Sequence, residues 1–486
     1  MNTPLAEPAH PGASPAAGGG RPVRVWVLVA ALLVACFAFQ LNASMLSPAL
    51  KSVEDSLDAT SAEVGLTQTA FFTSAALFSL FLPRLGDLVG RRRVLAAMMA
   101  LMAVGCVVAA LAQSVPMLFA GRVIQGVSGP TVPLCLIMLR NEVHEPKRYG
   151  TLLGVITAVN GGIAGVDSIA GGSLADHYGF QSVFWVMAVV AGLAMVLVAT
   201  LTPESTARVS GSDNRMDWPG VALLVVSVGA ALIALNEAGK LGAANWPLVA
   251  GLAVVAALAF AAFWRAEDRS SHPLVATRHL RRRSTWALLL TTVLTMTGVF
   301  AVMNGMIPAF AQNADAGFGM SAEQSAWWTL TPYALAGLAM GPIAGRLAAT
   351  HGYGRVLRLG LIGSAATVAL MLFTLQADSR PLLLVSSVLI GVTYAGVGNI
   401  VLNGLGIVLS PKENPGFLPG LNAGAFNLGA GLSFALLYAV QTAAEPADKT
   451  SAAGYSAGMI AGVVLIAAAF LTSFLIPKPV AAEAQE

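Results

Sequence analysis

Pro83-Arg-Leu-Gly-Asp-Leu-Val-Gly-Arg-Arg-Arg93 joins two uncharged apolar runs, 65–83 and 94–112. Gly90 permits a tight turn. Asp87 can face a helix N-terminus or a guanidinium. Arginines clustered between apolar runs hold a loop on the cytoplasmic side of a bilayer. The flanking runs therefore read as two membrane spans joined by a short inward loop.

Working outward, apolar runs fill the chain at about 25–46, 65–83, 94–112, 116–139, 149–172, 181–201, 217–236, 246–264, 284–310, 325–346, 355–375, 380–409, 414–440 and 454–477. A helical span needs ~20 apolar residues. Lipid leaves helices and closed barrels as the only spanning forms, and no stretch shows the alternation of a barrel strand. Only 10% of the 486 residues are charged, with mean hydropathy +0.74. Soluble domains carry about 25%. The expected fold is an all-α polytopic membrane protein of 14 transmembrane helices.

Basic residues orient it. With the N-terminus placed in the cytoplasm, the inward segments hold 22 Lys and Arg and the outward loops hold 4 (Lys51, Lys240, Arg380 and Lys449), with Arg122 inside a run. Polar segments at 203–217 and 265–284 bracket two runs. The chain therefore divides into a disordered cytoplasmic tail (1–24) and a six-helix half (25–202). A linker with two inserted helices (203–266), a cytoplasmic loop (267–283), a second six-helix half (284–477) and a cytoplasmic tail (478–486) follow. The first run is too long for a signal peptide and reads as a retained span.

Two opposite charges lie well inside neighbouring runs: Arg122 in 116–139 and Asp167 in 149–172. Each costs at least ~2.5–3.5 kcal/mol to insert, which marks them as functional. The six His fall in loops or at run ends, so no metal site is expected. Cys36, Cys106 and Cys135 lie in separate runs and read as buried small hydrophobes. A net charge of +3 gives no footing for nucleic acid.

The loop at 83–93 resembles the signature of the major facilitator superfamily. Asp87, Gly90, Arg91 and Arg92 match its pattern, while Pro83 and Leu88 depart from it. Gly341-Pro-Ile-Ala-Gly-Arg346 with Gly354-Arg355 is a weaker echo in the second half. Leu118-Phe-Ala-Gly-Arg122-Val-Ile-Gln125-Gly126 looks like the family's second motif, an Arg followed by Gln-Gly. An inserted central pair makes the chain resemble the fourteen-span drug:proton antiporter branch. The resemblance implies a conformational gating role for Asp87, Gly90, Arg91 and Arg92, and a secondary active transporter exporting a drug or metabolite.

Two departures bear on mechanism. The acid that the branch carries in its first span is Asn42 here, in Leu41-Asn-Ala-Ser-Met-Leu-Ser47. The Gly-Pro-x-x-Gly-Gly end of its antiporter motif is Asp167-Ser-Ile-Ala-Gly-Gly172, with no proline. At ~1.5 Å per residue, Asn42, Arg122 and Asp167 share a level in the outer part of the first half. Asp167 is therefore expected to carry the proton and Arg122 to be its electrostatic partner, since an apolar setting raises a carboxyl pKa and a neighbouring guanidinium lowers it. Asn42, Gln125, Asn160, Asn304, Tyr394, Asn399, Asn403, Asn422 and Asn427 are the candidate substrate-binding residues. Such amides suit a polar neutral solute. A second reading is accordingly proton-linked uptake of a nucleoside- or sugar-like molecule.

An enzyme is not expected, because the runs offer one acid and no His. No Gly-rich phosphate loop ends in Gly-Lys-Ser/Thr, which excludes that kind of ATP-driven pump. The expected partners are a small-molecule substrate, a proton and membrane lipid, around a monomer with no cofactor and no nucleic acid. The expected location is the plasma (inner) membrane.

Overall fold

The computed structural model describes residues 25–143, 164–204, 216–238, 244–270, 277–377, 379–411, 417–445 and 451–478, with positions 145, 148, 152 and 156 between them. The 1–24 tail, Asn160 and most of the run before Asp167 lie outside these residues. Among the described residues the regular elements are all helical.

Among the described residues, twelve helices are long and apolar enough to cross a membrane. They coincide with all but two of the fourteen runs. The fifth run is described from Ala164, in the helix Ala164–Tyr178. The tenth forms the 22-residue helix Leu330–His351, in which prolines, glycines and an arginine dilute the apolar content. Local signals place the helix starts. Thr60 and Glu63 form a reciprocal capping box at the head of Ser61–Val89, satisfying N–H groups that have no partner within the helix.

Several runs depart from simple α-helix. The first continues past its expected end through a 3₁₀ turn, Ser47–Ala49, into the helix Leu50–Leu57. Lys51, expected in a loop, lies on this helix and pairs with Asp55 at 2.8 Å. In the second half, Val302–Met306 and Gly391–Gly398 are π-helical, a form that recurs at functional sites.

Small residues let the helices touch. Gly105 and Gly121 face each other so closely that a Cβ on either would lie 2.8–2.9 Å from the other's carbonyl oxygen. Gly298 and Gly462 repeat the arrangement in the second half. Such contacts replace the hydrophobic drive that lipid cannot supply. The helices Trp218–Ala238 and Trp246–Arg269 pack on each other, with Ser227 Oγ donating to the Ala256 carbonyl at 2.9 Å. The second exposes Leu248, Val254, Val255, Leu258 and Phe260, a face suited to lipid.

The halves meet along Ser61–Val89 and Phe417–Ala444. Thr69 Oγ1 donates to the Gly431 carbonyl at 2.9 Å, and Phe72 stacks on Phe434 and meets Phe300 edge to face. At the end remote from the Pro83–Arg93 loop, Gln312 Nε2 donates to the Pro48 carbonyl at 2.9 Å. There Thr331 Oγ1 donates to the Gly165 carbonyl at 2.8 Å, and Asp176 accepts from the backbone of Ala322 and Glu323. This face is closed.

Candidate functional site

Arg122 lies in the last turn of the helix Val115–Gln125, which breaks at Gly126 into a 3₁₀ turn. The break permits close approach. A Cβ at Gly126 would lie 2.7 Å from the Phe71 carbonyl oxygen, and one at Gly129 would overlap the backbone of Ala75. The glycines of Arg-Val-Ile-Gln-Gly-Val-Ser-Gly thus bring Arg122 against the Ser61–Val89 helix.

There the guanidinium is fully buried. It donates from Nη1 to Gln125 Oε1 at 2.7 Å and to the Asn42 carbonyl at 3.2 Å. Nη2 donates to Gln68 Oε1, and the Phe71 ring lies 4.2 Å from the guanidinium carbon. The Phe71 ring adds a cation–π attraction to these bonds. Asn42 completes the set: its Nδ2 donates to the Ala38 carbonyl at 3.0 Å, and Cys106 Sγ donates to its Oδ1 at 3.3 Å. Both glutamine amides turn their oxygens to the cation. Their Nε2 groups, and Arg122 Nε, have no hydrogen-bond partner among the described residues.

Asp167 is 3% exposed. Its Oδ2 accepts from Ser44 Oγ at 2.5 Å, and Ser168 Oγ lies 3.4 Å from Oδ1. Gly171, one turn on, sits against the Met45 carbonyl with no room for a Cβ, which fixes this helix against the first.

One expectation is corrected here. Arg122 and Asp167 do not form an ion pair; each is held by neutral oxygens and hydroxyls instead. They are joined through the first helix, where Asn42 receives the guanidinium and Ser44, two residues on, holds the carboxyl. Gln68, which the sequence reading passed over, belongs to the site. An amide between two threonines in an apolar run was the available signal.

The other candidates scatter. Asn422 accepts from Thr292 Oγ1 at 2.8 Å and donates to the Leu402 carbonyl at 3.2 Å, so it joins three helices. Tyr394 is buried and donates to Met296 Sδ at 2.6 Å. Both side chains are engaged by the protein itself. Asn304, on a π-helical turn, donates to the Phe300 carbonyl at 3.1 Å. Asn403 donates to Asn399 Oδ1 at 2.7 Å, with Asn403 exposed, and Asn427 is half-buried. Asn160 lies outside the described residues.

The signature loop forms a tight unit. Asp87 binds Arg91 one turn on, at 2.7 and 2.9 Å. Glu204, at the end of the first half, accepts from the Arg92 N–H at 3.1 Å and lies 3.5 Å from both the Arg92 and Arg93 Nε groups. It caps the helix Arg91–Ala110 at its positive end. Gly90 has φ +118°, and a Cβ there would lie 2.6 Å from Glu204 Oε1. Gly90→Ala is therefore expected to cost about 1–3 kcal/mol, read as a lowered Tm in detergent. Glu204→Ala in the same chain should recover the steric part only.

A bundle of two helical halves around a buried guanidinium and a buried carboxyl is an arrangement that a membrane transporter can use. The sequence profile of the Major Facilitator Superfamily matches residues 32–434 and 314–485, and the chain belongs to that family. It is 53% identical over 454 residues to the uridine/deoxyuridine transporter of Lactococcus lactis subsp. cremoris, covering 93% of this chain and 94% of that one. It is 28% identical over 438 residues to the tetracenomycin C resistance and export protein of Streptomyces glaucescens, covering 89% and 78%. The fold is similar to a crystal structure of a mutant of the nucleoside transporter NupG, with TM-score 0.64 at 12% identity over 93% of this chain and 99% of that one.

Proposed function

We propose that this protein is a proton-linked importer of a uridine-like pyrimidine nucleoside, working by alternating access through fourteen spans. The observation that carries the reading is the 53% identity to a uridine/deoxyuridine transporter along nearly the whole of both chains. The match to an export protein is far weaker, at 28%, so uptake is favoured over efflux. The site's chemistry agrees. Gln68 and Gln125 each keep an Nε2 donor with no partner among the described residues, suited to the carbonyls and hydroxyls of a neutral nucleoside once the site opens.

In this reading the arginine-rich face is cytoplasmic, the closed face is outward, and the structure is a state closed to the outside. When the outer face opens, water and protons reach Asp167. Closure then buries the carboxyl beside Ser44, and a bound proton spares the bundle a bare buried charge. Arg122 stays charged throughout, holding Asn42, Gln68 and Gln125 in place. The first helix, tied to both ionisable groups, transmits the state of the acid to the amides. Rocking of the halves exposes the site to alternate sides. Asp87, Gly90, Arg91 and Arg92 shape the cytoplasmic hinge.

Ligand binding raises thermal stability with occupancy. Purified protein titrated with uridine, deoxyuridine, a hexose and a lipophilic cationic dye should rise in Tm with the two nucleosides alone. Stabilisation by the dye alone would return the reading to export.

A further inference from the structure

The outward end of the closed interface carries a carboxylate that the proton and substrate readings leave unused. Asp176 ends the helix Ala164–Tyr178 of the first half. Its Oδ1 accepts from the Ala322 N–H and its Oδ2 from the Glu323 N–H, both at 2.8 Å. These are the first two residues of the helix Ala322–Trp328 in the second half. That helix has a capping box of its own. Ser321 Oγ accepts from the Gln324 N–H at 3.2 Å, and the Gln324 side chain returns to the Ser321 N–H. The box satisfies the third N–H and leaves the first two free. Asp176 fills both vacancies from across the interface.

The neighbouring contacts serve the same closure. Gly172, one turn before Asp176, lies against the Ala322 carbonyl, where a Cβ would come within 2.6 Å. Thr331 bonds Gly165 two turns earlier. No cation pairs with Asp176 among the described residues; its two bonds are charge-assisted bonds to backbone N–H groups.

We propose that Asp176 is a reversible latch for the outward face. It holds the halves together in the state closed to the outside and must release for the transporter to open outward. Backbone donors suit the task, because water can replace the carboxylate at both N–H groups on opening. The strength of the closed state is then set by one side chain remote from Asp167 and Arg122. The latch rests on the interface geometry, and only the side of the membrane it faces rests on the proposed orientation.

The test uses the full chain with Ala334→Cys as a reporter. Ala334 is buried where the Gly165 backbone meets the second half, and the native cysteines are all buried. A membrane-impermeant maleimide is applied to intact cells and, separately, to inside-out vesicles. Asp176→Asn should speed reporter labelling by at least about tenfold, the population shift that about 1.4 kcal/mol produces. Ala322→Pro removes one of the two donors while suiting the helix, since proline is favoured at the first helical position. The preceding Ser321 already has the extended ψ of 164° that proline requires. It should speed labelling by a smaller factor, and its effect should vanish in the Asp176→Asn background. Labelling from the vesicle side alone would reverse the orientation and leave the latch standing. Unchanged labelling in both single variants, or fully independent effects in the double, would overturn the latch.

Discussion

Asp167→Asn should abolish proton-driven uridine accumulation while leaving exchange of labelled for unlabelled uridine largely intact. The amide fills the carboxyl's space and can still meet Ser44 Oγ, which lies 2.5 Å from Oδ2, but it cannot carry a proton. A transporter that no longer needs to load and unload that proton can still rock with substrate bound. The expected result is accumulation reduced to equilibration and counterflow preserved in proteoliposomes. Loss of both would make Asp167 a structural group; survival of both would remove it from coupling. Ser44→Ala should act in the same direction less severely, because it removes the hydroxyl and keeps the acid.

The second large effect falls on Arg122. Arg122→Ala leaves the Asn42 carbonyl, Gln68 Oε1 and Gln125 Oε1 buried with their shared donor gone. Each unsatisfied group costs about 1–3 kcal/mol, and the void beneath Phe71 adds to the loss. The protein should fold poorly, with Tm reduced well beyond that of any single amide variant. Arg122→Lys keeps the charge but presents a point donor where a planar fork bonds three groups on three helices. It should restore much of the thermal stability and little of the uptake. Recovery of full uptake by Lys would show that charge alone matters at this position.

The contrast between what the chain declares and what it hides follows from chemistry. The helical bundle was legible because lipid forces long apolar runs, and charge placement along the loops suggests their orientation. Gly90 was legible as a turn, and the structure adds that Glu204 occupies the space a side chain would need. Glu204 itself was not legible, because 112 residues separate it from Arg92. Arg122 and Asp167 stood out as charges in grease, yet their separation did not, since depth along a helix says nothing of the angle around it. The same limit affected the second half. Asn422 reads in sequence as a cavity amide or a helix-to-helix bond, and in space it bonds Thr292 and the Leu402 carbonyl. The π-helical turns at Asn304 and Tyr394 carried no recognised signal, and they rotate the side chains that follow.

The most direct test of the account is uridine accumulation in proteoliposomes of the purified protein under an imposed pH gradient. With the lumen alkaline and the outside acidic, labelled uridine should concentrate inside above its external level, and collapse of the gradient by a protonophore should release it. Accumulation that ignores the gradient, or net movement of uridine against this direction, would contradict proton-linked uptake.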